Sequence, residues 1–190
     1  NKIEDIIIFS DKAIYNKNIE ELITKGNSKA IKIDNTITAN AFIYKKNTNI
    51  LTANKNVKIV DKLKDVIILS SEVTYDKNKE TFFSKGLTES VVENKYNIKS
   101  KDVLFSKKIS ILSSNQKTIV KDNKLNQYEL EEFNYNISKK ILKGKNIKIS
   151  SNVEDGKKDY YFFSDGFFNF KDSSFVSRET KIKLHKDVFD

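Results

Sequence analysis

Ser10-Asp11-Lys12-Ala13-Ile14-Tyr15, followed by Ile23-Thr24-Lys25-Gly26-Asn27, opens a pattern that the rest of the chain repeats. Thr38-Ala39-Asn40-Ala41-Phe42-Ile43-Tyr44 leads in the same way to Leu51–Ile59, Ser71-Glu72-Val73-Thr74-Tyr75 to Phe83-Ser84-Lys85-Gly86, and Phe133-Asn134-Tyr135 to Leu142–Ile149. The anchoring aromatics Tyr15, Tyr44, Tyr75, Phe105 and Tyr135 are spaced 29, 31, 30 and 30 apart. A polar residue stands four places before each, from Asp11 through Asn40, Ser71 and Lys101 to Glu131. A fixed period of this length marks a stacked structural unit, here one with two short extended segments.

Within each unit the apolar residues alternate with a period of two, which argues for strands. Ile7, Phe9, Ala13 and Tyr15 fall on one face by this count, as do Ile67, Leu69, Val73 and Tyr75; Val103 with Phe105 and Phe133 with Tyr135 continue it. The opposite face is mixed. Ser10 and Lys12 suit solvent, whereas Ile8, Ile14, Ala39, Ala41 and Ile43 are apolar. Two arrangements explain the mixture: a sheet partly covered on its second face, or one folded over so that its inner face lines a groove. The fold class expected is all-β and antiparallel, with about a dozen strands of roughly 5 to 8 residues. Strands related by translation stack on their neighbours and leave unclosed ends, whose edges are free to pair with another chain.

Composition narrows the classes. Ile, Leu, Val and Phe pass the roughly 20% below which a charged chain stays disordered. Proline is absent and glycine occurs only 5 times, so Asn and Asp must carry many turns. With no cysteine, disulfides and thiolate metal sites are excluded. Apolar runs such as Ile6–Phe9 and Val66–Leu69 are far shorter than the roughly 20 residues of a spanning helix, so a water-soluble chain is expected. The net charge of +9 admits an acidic partner, but Arg178 is the only arginine, which argues against a sequence-specific reader of DNA. No nucleic-acid partner is expected.

Catalysis is not expected either. His185 is the only histidine, which leaves no dyad partner and no usual zinc set. Acidic pairs such as Glu131 and Glu132, or Asp122 with another, arise by chance among 26 acids. Lys85-Gly86 and Lys143-Gly144 lack the further glycines of a phosphate loop. No cofactor or metal is implied.

The repeated Ser-Asp-x-Ala-x-Tyr with Lys-Gly-Asn about eleven residues on resembles the OstA-like repeat of the lipopolysaccharide-transport proteins, the LptA/LptD family. The resemblance covers roughly Ile6 to Ile149. The terminal Thr180–Asp190 is similar to the stretch that leads from the N-terminal periplasmic domain of LptD toward its outer-membrane barrel. Residues 1–190 then form a single periplasmic domain, associated with the outer membrane through the full-length protein. The resemblance implies an elongated β-jellyroll (a β-taco) whose apolar groove takes lipid A acyl chains. It also implies partners: lipopolysaccharide, an LptA-type bridge protein joined by strand pairing at the sheet edge, the LptD barrel and an LptE-type lipoprotein. A free-standing LptA-like bridge is the alternative within the family, and a structural β-solenoid with a filled core and no lipid is the alternative outside it.

Carrying such a lipid through water is expensive unless its chains stay covered, since each exposed methylene costs about 0.8 kcal/mol and a twelve-carbon chain on the order of 9 kcal/mol. The residues expected to line the groove are Ile7, Phe9, Ala13, Tyr15, Phe42, Tyr44, Ile67, Leu69, Val73, Tyr75, Val103, Phe105, Phe133 and Tyr135. The same periodicity describes an ordinary filled core. Phe162, Phe163, Phe167, Phe168, Phe170, Phe175 and Phe189 crowd the end of the chain, either as a groove exit or as a cap. Lysine pairs 45–46, 139–140 and 157–158 suit either phosphate head groups or solvated turns.

Overall fold

A computed structural model describes residues 6–153, 156–172 and 174–185. Phe189 and the last part of the 180–190 stretch lie outside the described residues. The chain forms one antiparallel 18-stranded sheet. Its first strands are β1 (Ile7–Phe9), β2 (Lys12–Asn16), β3 (Glu21–Lys25), β4 (Ser28–Lys32), β5 (Asn35–Ala39) and β6 (Ala41–Lys45). Four long strands follow: β7 (Ile50–Asp61), β8 (Val66–Asp76), β9 (Thr81–Val92) and β10 (Tyr96–Ser106). Next come β11 (Ile111–Ser114), β12 (Thr118–Lys121), β13 (Gln127–Leu130), β14 (Glu132–Asn136), β15 (Ile141–Asn152), β16 (Lys158–Asn169), β17 (Ser174–Arg178) and β18 (Lys181–Lys183). The all-β antiparallel class is therefore as expected. There are more strands than the dozen anticipated because many are cut in two at one place.

That place is a seam running across the whole sheet. Register shifts interrupt β7 between Asn54 and Val57, β8 between Ser70 and Glu72, and β10 between Lys101 and Val103. At the same level the shorter strands stop and restart, at 10–11, 26–27, 40, 115–117 and 131. Gly26, Asn27, Lys55, Asn56, Gly86, Asp102 and Asn146 all take the left-handed backbone conformation here, which bends a strand and re-aims its side chains. Backbone bonds carry the line from strand to strand: Asp11 N–H to Gly26 O (3.1 Å), Gly26 N–H to Asn40 O (2.8 Å), Asn40 N–H to Lys55 O (3.0 Å). The polar residues of the repeat fasten it. Asp11 accepts from Asn27 Nδ2 at 2.9 Å, Asn40 from Asn56 Nδ2 at 3.2 Å, and Glu131 from Asn146 Nδ2.

The seam divides the sheet into two walls that fold onto each other. Wall A contains β1, β4, β5, β12, β13, β18 and one half of each long strand; wall B contains β2, β3, β6, β11, β14, β17 and the other halves. In wall B a single inner row passes from partner to partner through Tyr15, Leu22, Tyr44, Leu51, Tyr75, Phe82, Phe105, Leu112, Tyr135, Leu142, Phe168 and Phe175. Wall A answers with Ile8, Ala30, Ile37, Ile59, Ile68, Ser90, Ile98, Val120, Tyr128, Ile149, Tyr161 and Ile182. Residues of both rows join one buried core.

Turns close each hairpin away from the seam, and they repeat with the anchoring aromatics. Glu20, Asn49, Glu80, Ser110 and Lys140, each five residues after its aromatic, all have positive φ. Asp and Asn side chains brace several of these turns, although only Asn49 of the five positive-φ positions is one of them. Asp76 accepts from the amides of Asn78 and Lys79, and Asn16 and Asn136 do the same for Asn18 and Lys139.

Candidate functional site

The site to be weighed is the space between the walls. Phe42, Val73, Tyr75, Val103, Phe105, Phe133 and Tyr135 all point inward and are buried, and Tyr44 points inward half-buried, with its hydroxyl on Asn49 Oδ1 at 3.2 Å. Ala13 and Tyr15 belong to the same inner rows by register but stand exposed on β2, the end strand of wall B. Ile7, Phe9, Ile67 and Leu69 are corrections: they lie on the outer face. Their neighbours Ile8 and Ile68 point inward in their place. The cause is the seam, because an extra residue in the strand reverses the alternation on one side of it. Ile68 and Val73 are both buried although they are an odd number of residues apart.

The expected open furrow is closed. Beneath the mouth, cavities of about 10 Å³ lie between the packed rows of the described residues, one lined by residues including Ile37, Leu51 and Phe82, another by residues including Ile98, Val120 and Leu142. Each is about the minimum for a single water. Hydrocarbon enters only if the walls part.

Along the mouth, opposite the seam, the walls are held in two ways. In the middle, charged side chains cross. Lys32 of wall A meets Glu80 of a wall B turn at 3.6 Å, and Lys107 of another wall B turn meets Asp34 and, at 3.6 Å, Asp61 of wall A. Lys140 reaches Glu93 at 3.2 Å. Asp61 is buried, and its Oδ2 has no hydrogen bond, so the Lys107 charge is what offsets it. The hydroxyls of Tyr75 and Tyr135 lie just inside and are buried; that of Tyr135 has no hydrogen bond, and that of Tyr75 lies near the Lys32 ammonium. Burial pushes both tyrosines up, helped by Glu80 at Tyr75 and Glu93 at Tyr135, while Lys32 opposes it at Tyr75.

Toward the C-terminal end, aromatic rings cross instead. Tyr96 of wall A lies 4.6 Å from Phe170 and 6.1 Å from Tyr135 of wall B; Tyr128 meets Phe168 at 5.9 Å, and Phe163 meets Phe175 at 5.3 Å. The crowd of phenylalanines thus splits. Phe163 and Phe168 are core, Phe170 is half-buried at the mouth, Phe175 ends the inner row, and Phe167 is on the outer face. A cleft of about 190 Å³ opens here between the turns, walled by Tyr96, Tyr128, Phe168 and Phe170. Sequence reasoning missed Tyr96 and Tyr128. Their signal was the wall A periodicity, which the seam put out of phase with the Tyr anchors.

Of the lysine pairs, Lys46 meets Glu20 at 3.4 Å and Lys140 meets Glu93, so both are part of turn-to-turn ion pairing. Among the described residues no cluster of three His, Cys, Asp or Glu could hold a metal ion.

No family model matches the chain, and no curated protein matches it. Among solved structures, it is similar to LptH of Pseudomonas aeruginosa, described as the LptA homologous periplasmic component of the lipopolysaccharide transport device. The identity is 11%, the match covers 96% of each chain, and the TM-score is 0.31, an overlap too loose to carry an argument.

Proposed function

We propose that this chain is a periplasmic carrier that lodges the acyl chains of lipopolysaccharide between its walls and passes them along the stack. One observation carries the reading: among the described residues the inner rows run without a cap from one end of the sheet to the other. Wall B begins with Tyr15, 52% exposed, and finishes with Phe175, 44% exposed. A filled core has no need to present rings at both ends, whereas a route must be continuous with the next module. The edge strands β1 and β2 at one end and β17 and β18 at the other supply the backbone groups for pairing with that module. An LptA-type bridge at one edge and an LptD-type barrel with its LptE-type lipoprotein beyond the other fit this polarity, as does a free-standing LptA-like bridge.

Parting the walls replaces wall-to-wall contacts by wall-to-lipid contacts. The apolar surface stays dry throughout, so the hydrophobic term changes little and the cost lies in the polar groups at the mouth. Tyr15, Phe42, Tyr44, Val73, Tyr75, Val103, Phe105, Phe133 and Tyr135 remain the lining in this reading, with Ile59, Ile68 and Ile98 facing them from wall A.

The sealed interior favours a second reading, a structural β-module that never opens. A photo-crosslinking residue placed at Phe105 separates the two when cells making lipopolysaccharide are irradiated. The carrier gives a lipopolysaccharide adduct at Phe105 and none at the outward Leu69. Absence of the adduct at both positions supports the module.

A further inference from the structure

The cleft and the interior share a partition. The cleft of about 190 Å³ at the C-terminal end of the mouth and the cavity of about 10 Å³ beneath it are both lined by Tyr96 and Phe170. Phe170 sits in the turn after β16, its ring among Tyr96, Tyr128, Tyr135 and Phe168. Its amide donates to Lys140 O at 2.9 Å, while Asn169 and Asp172 bond within the turn itself. The rim carries Lys95, whose ammonium lies 5.0 Å from the Tyr96 ring centre, and Lys124. Asp122 is also there, but its carboxylate is taken up by the amides of Lys124 and Asn126, by Asn126 Nδ2 and by the Tyr128 hydroxyl.

We propose that this cleft is the port through which a single acyl chain of an anionic amphiphile enters the wall-to-wall space, with Phe170 as its plug. The ligand class rests on the carrier reading above; the place of entry rests on the geometry. Entry in the middle of the mouth would strip Lys107 from Asp34 and Asp61 and leave carboxylates facing hydrocarbon. At the port, a ring gives way to a methylene chain and no charge loses its partner. Moving Phe170 outward joins cleft to cavity, the chain follows the inner rows, and the anionic head stays at the rim beside Lys95 and Lys124.

The absence of cysteine makes the test direct, since introduced thiols label cleanly. In the full chain, spin labels at Asn123→Cys and Lys171→Cys span the port, and dansyl-labelled undecanoate reports hydrocarbon uptake. Phe170→Ala is expected to lengthen the label distance and raise probe affinity by up to about tenfold, because apparent affinity scales with the open fraction. Phe170→Trp, which keeps the plug, is expected to leave both near the parent values. Lys124→Gln weakens binding of undecanoate but not of a neutral dansyl-labelled undecyl amide. Unchanged distance and affinity in a folded Phe170→Ala chain overturn the port, as does equal uptake by the Ala and Trp variants. The Phe105 adduct distinguishes the causes: with the adduct present, the carrier stands and only the port falls; without it, both fall.

Discussion

The middle of the mouth and its C-terminal end close the same two walls by different chemistry. Ion pairs bridge the first and aromatic rings the second, so the two differ in what opening leaves behind. Separating Lys107 from Asp61 leaves a buried carboxylate with no cation and only the Lys64 amide as partner; separating Phe170 from Tyr96 leaves only two apolar faces that a lipid can cover. A protein that must stay in one piece while admitting hydrocarbon gains from having both, a fixed stretch and a yielding one.

The largest effect expected is therefore at the fixed stretch. Lys107→Met removes the only cation within 4.0 Å of Asp61 among the described residues and should lower stability by about 3–5 kcal/mol in urea denaturation, the usual cost of breaking a buried pair. Replacing the whole group, with Lys107→Met, Asp34→Asn and Asp61→Asn together, should recover much of the loss. If the single change costs as little as an exposed pair, the distinction between the two stretches fails.

Truncation of a ring separates the regions further. Phe105 is fully buried between Phe82 and Leu112, and Phe105→Ala should cost about 3–5 kcal/mol. Phe170→Ala should cost clearly less, because that ring already borders an open cleft. Equal losses in parallel melts would place Phe170 in the core and erase its special position.

Much of this was legible in the sequence, and the failures share one origin. The repeat, the strands, the Asn and Asp turns and the inward wall B anchors from Phe42 to Tyr135 follow from spacing and alternation. Alternation carried through Ser10-Asp11 and Ser70-Ser71 puts Ile7, Phe9, Ile67 and Leu69 on the inner face, but the strands are broken at those pairs. Those polar pairs were the warning: a polar residue in mid-strand, repeated every thirty positions, marks a break. The closure of the interior was not legible at all, since the gap between two apolar faces depends on how sharply the seam bends, which no alternation pattern records.

Alkaline pH probes the boundary between the regions. Tyr135 touches Tyr96 from the aromatic side and lies near Glu93 from the charged side, and burial first, then Glu93, holds its hydroxyl protonated in the fold. An unfolded tyrosine ionises near pH 10, so the stability present below that point is lost as the pH rises through it. Tyr135→Phe should be neutral or slightly stabilising near pH 7, because the hydroxyl has no hydrogen bond to lose, and should make the decline above about pH 10 shallower. Thermal melts of the two proteins at pH 7 and above pH 10 check both halves of this statement.

The smallest effect expected tests the seam itself. Ile68 and Leu69 are adjacent and similar in size, so an unbroken alternation counted from Tyr75 makes Leu69 the core residue. The register shift between Ser70 and Glu72 makes it Ile68, which is 0% exposed against 41% for Leu69. Leu69→Ser should change stability by no more than about 0.5 kcal/mol, as for a surface site, whereas Ile68→Ser combines a cavity with a buried hydroxyl. The reverse order in urea denaturation would restore the unbroken strand, and with it the lining first expected on the Leu69 face.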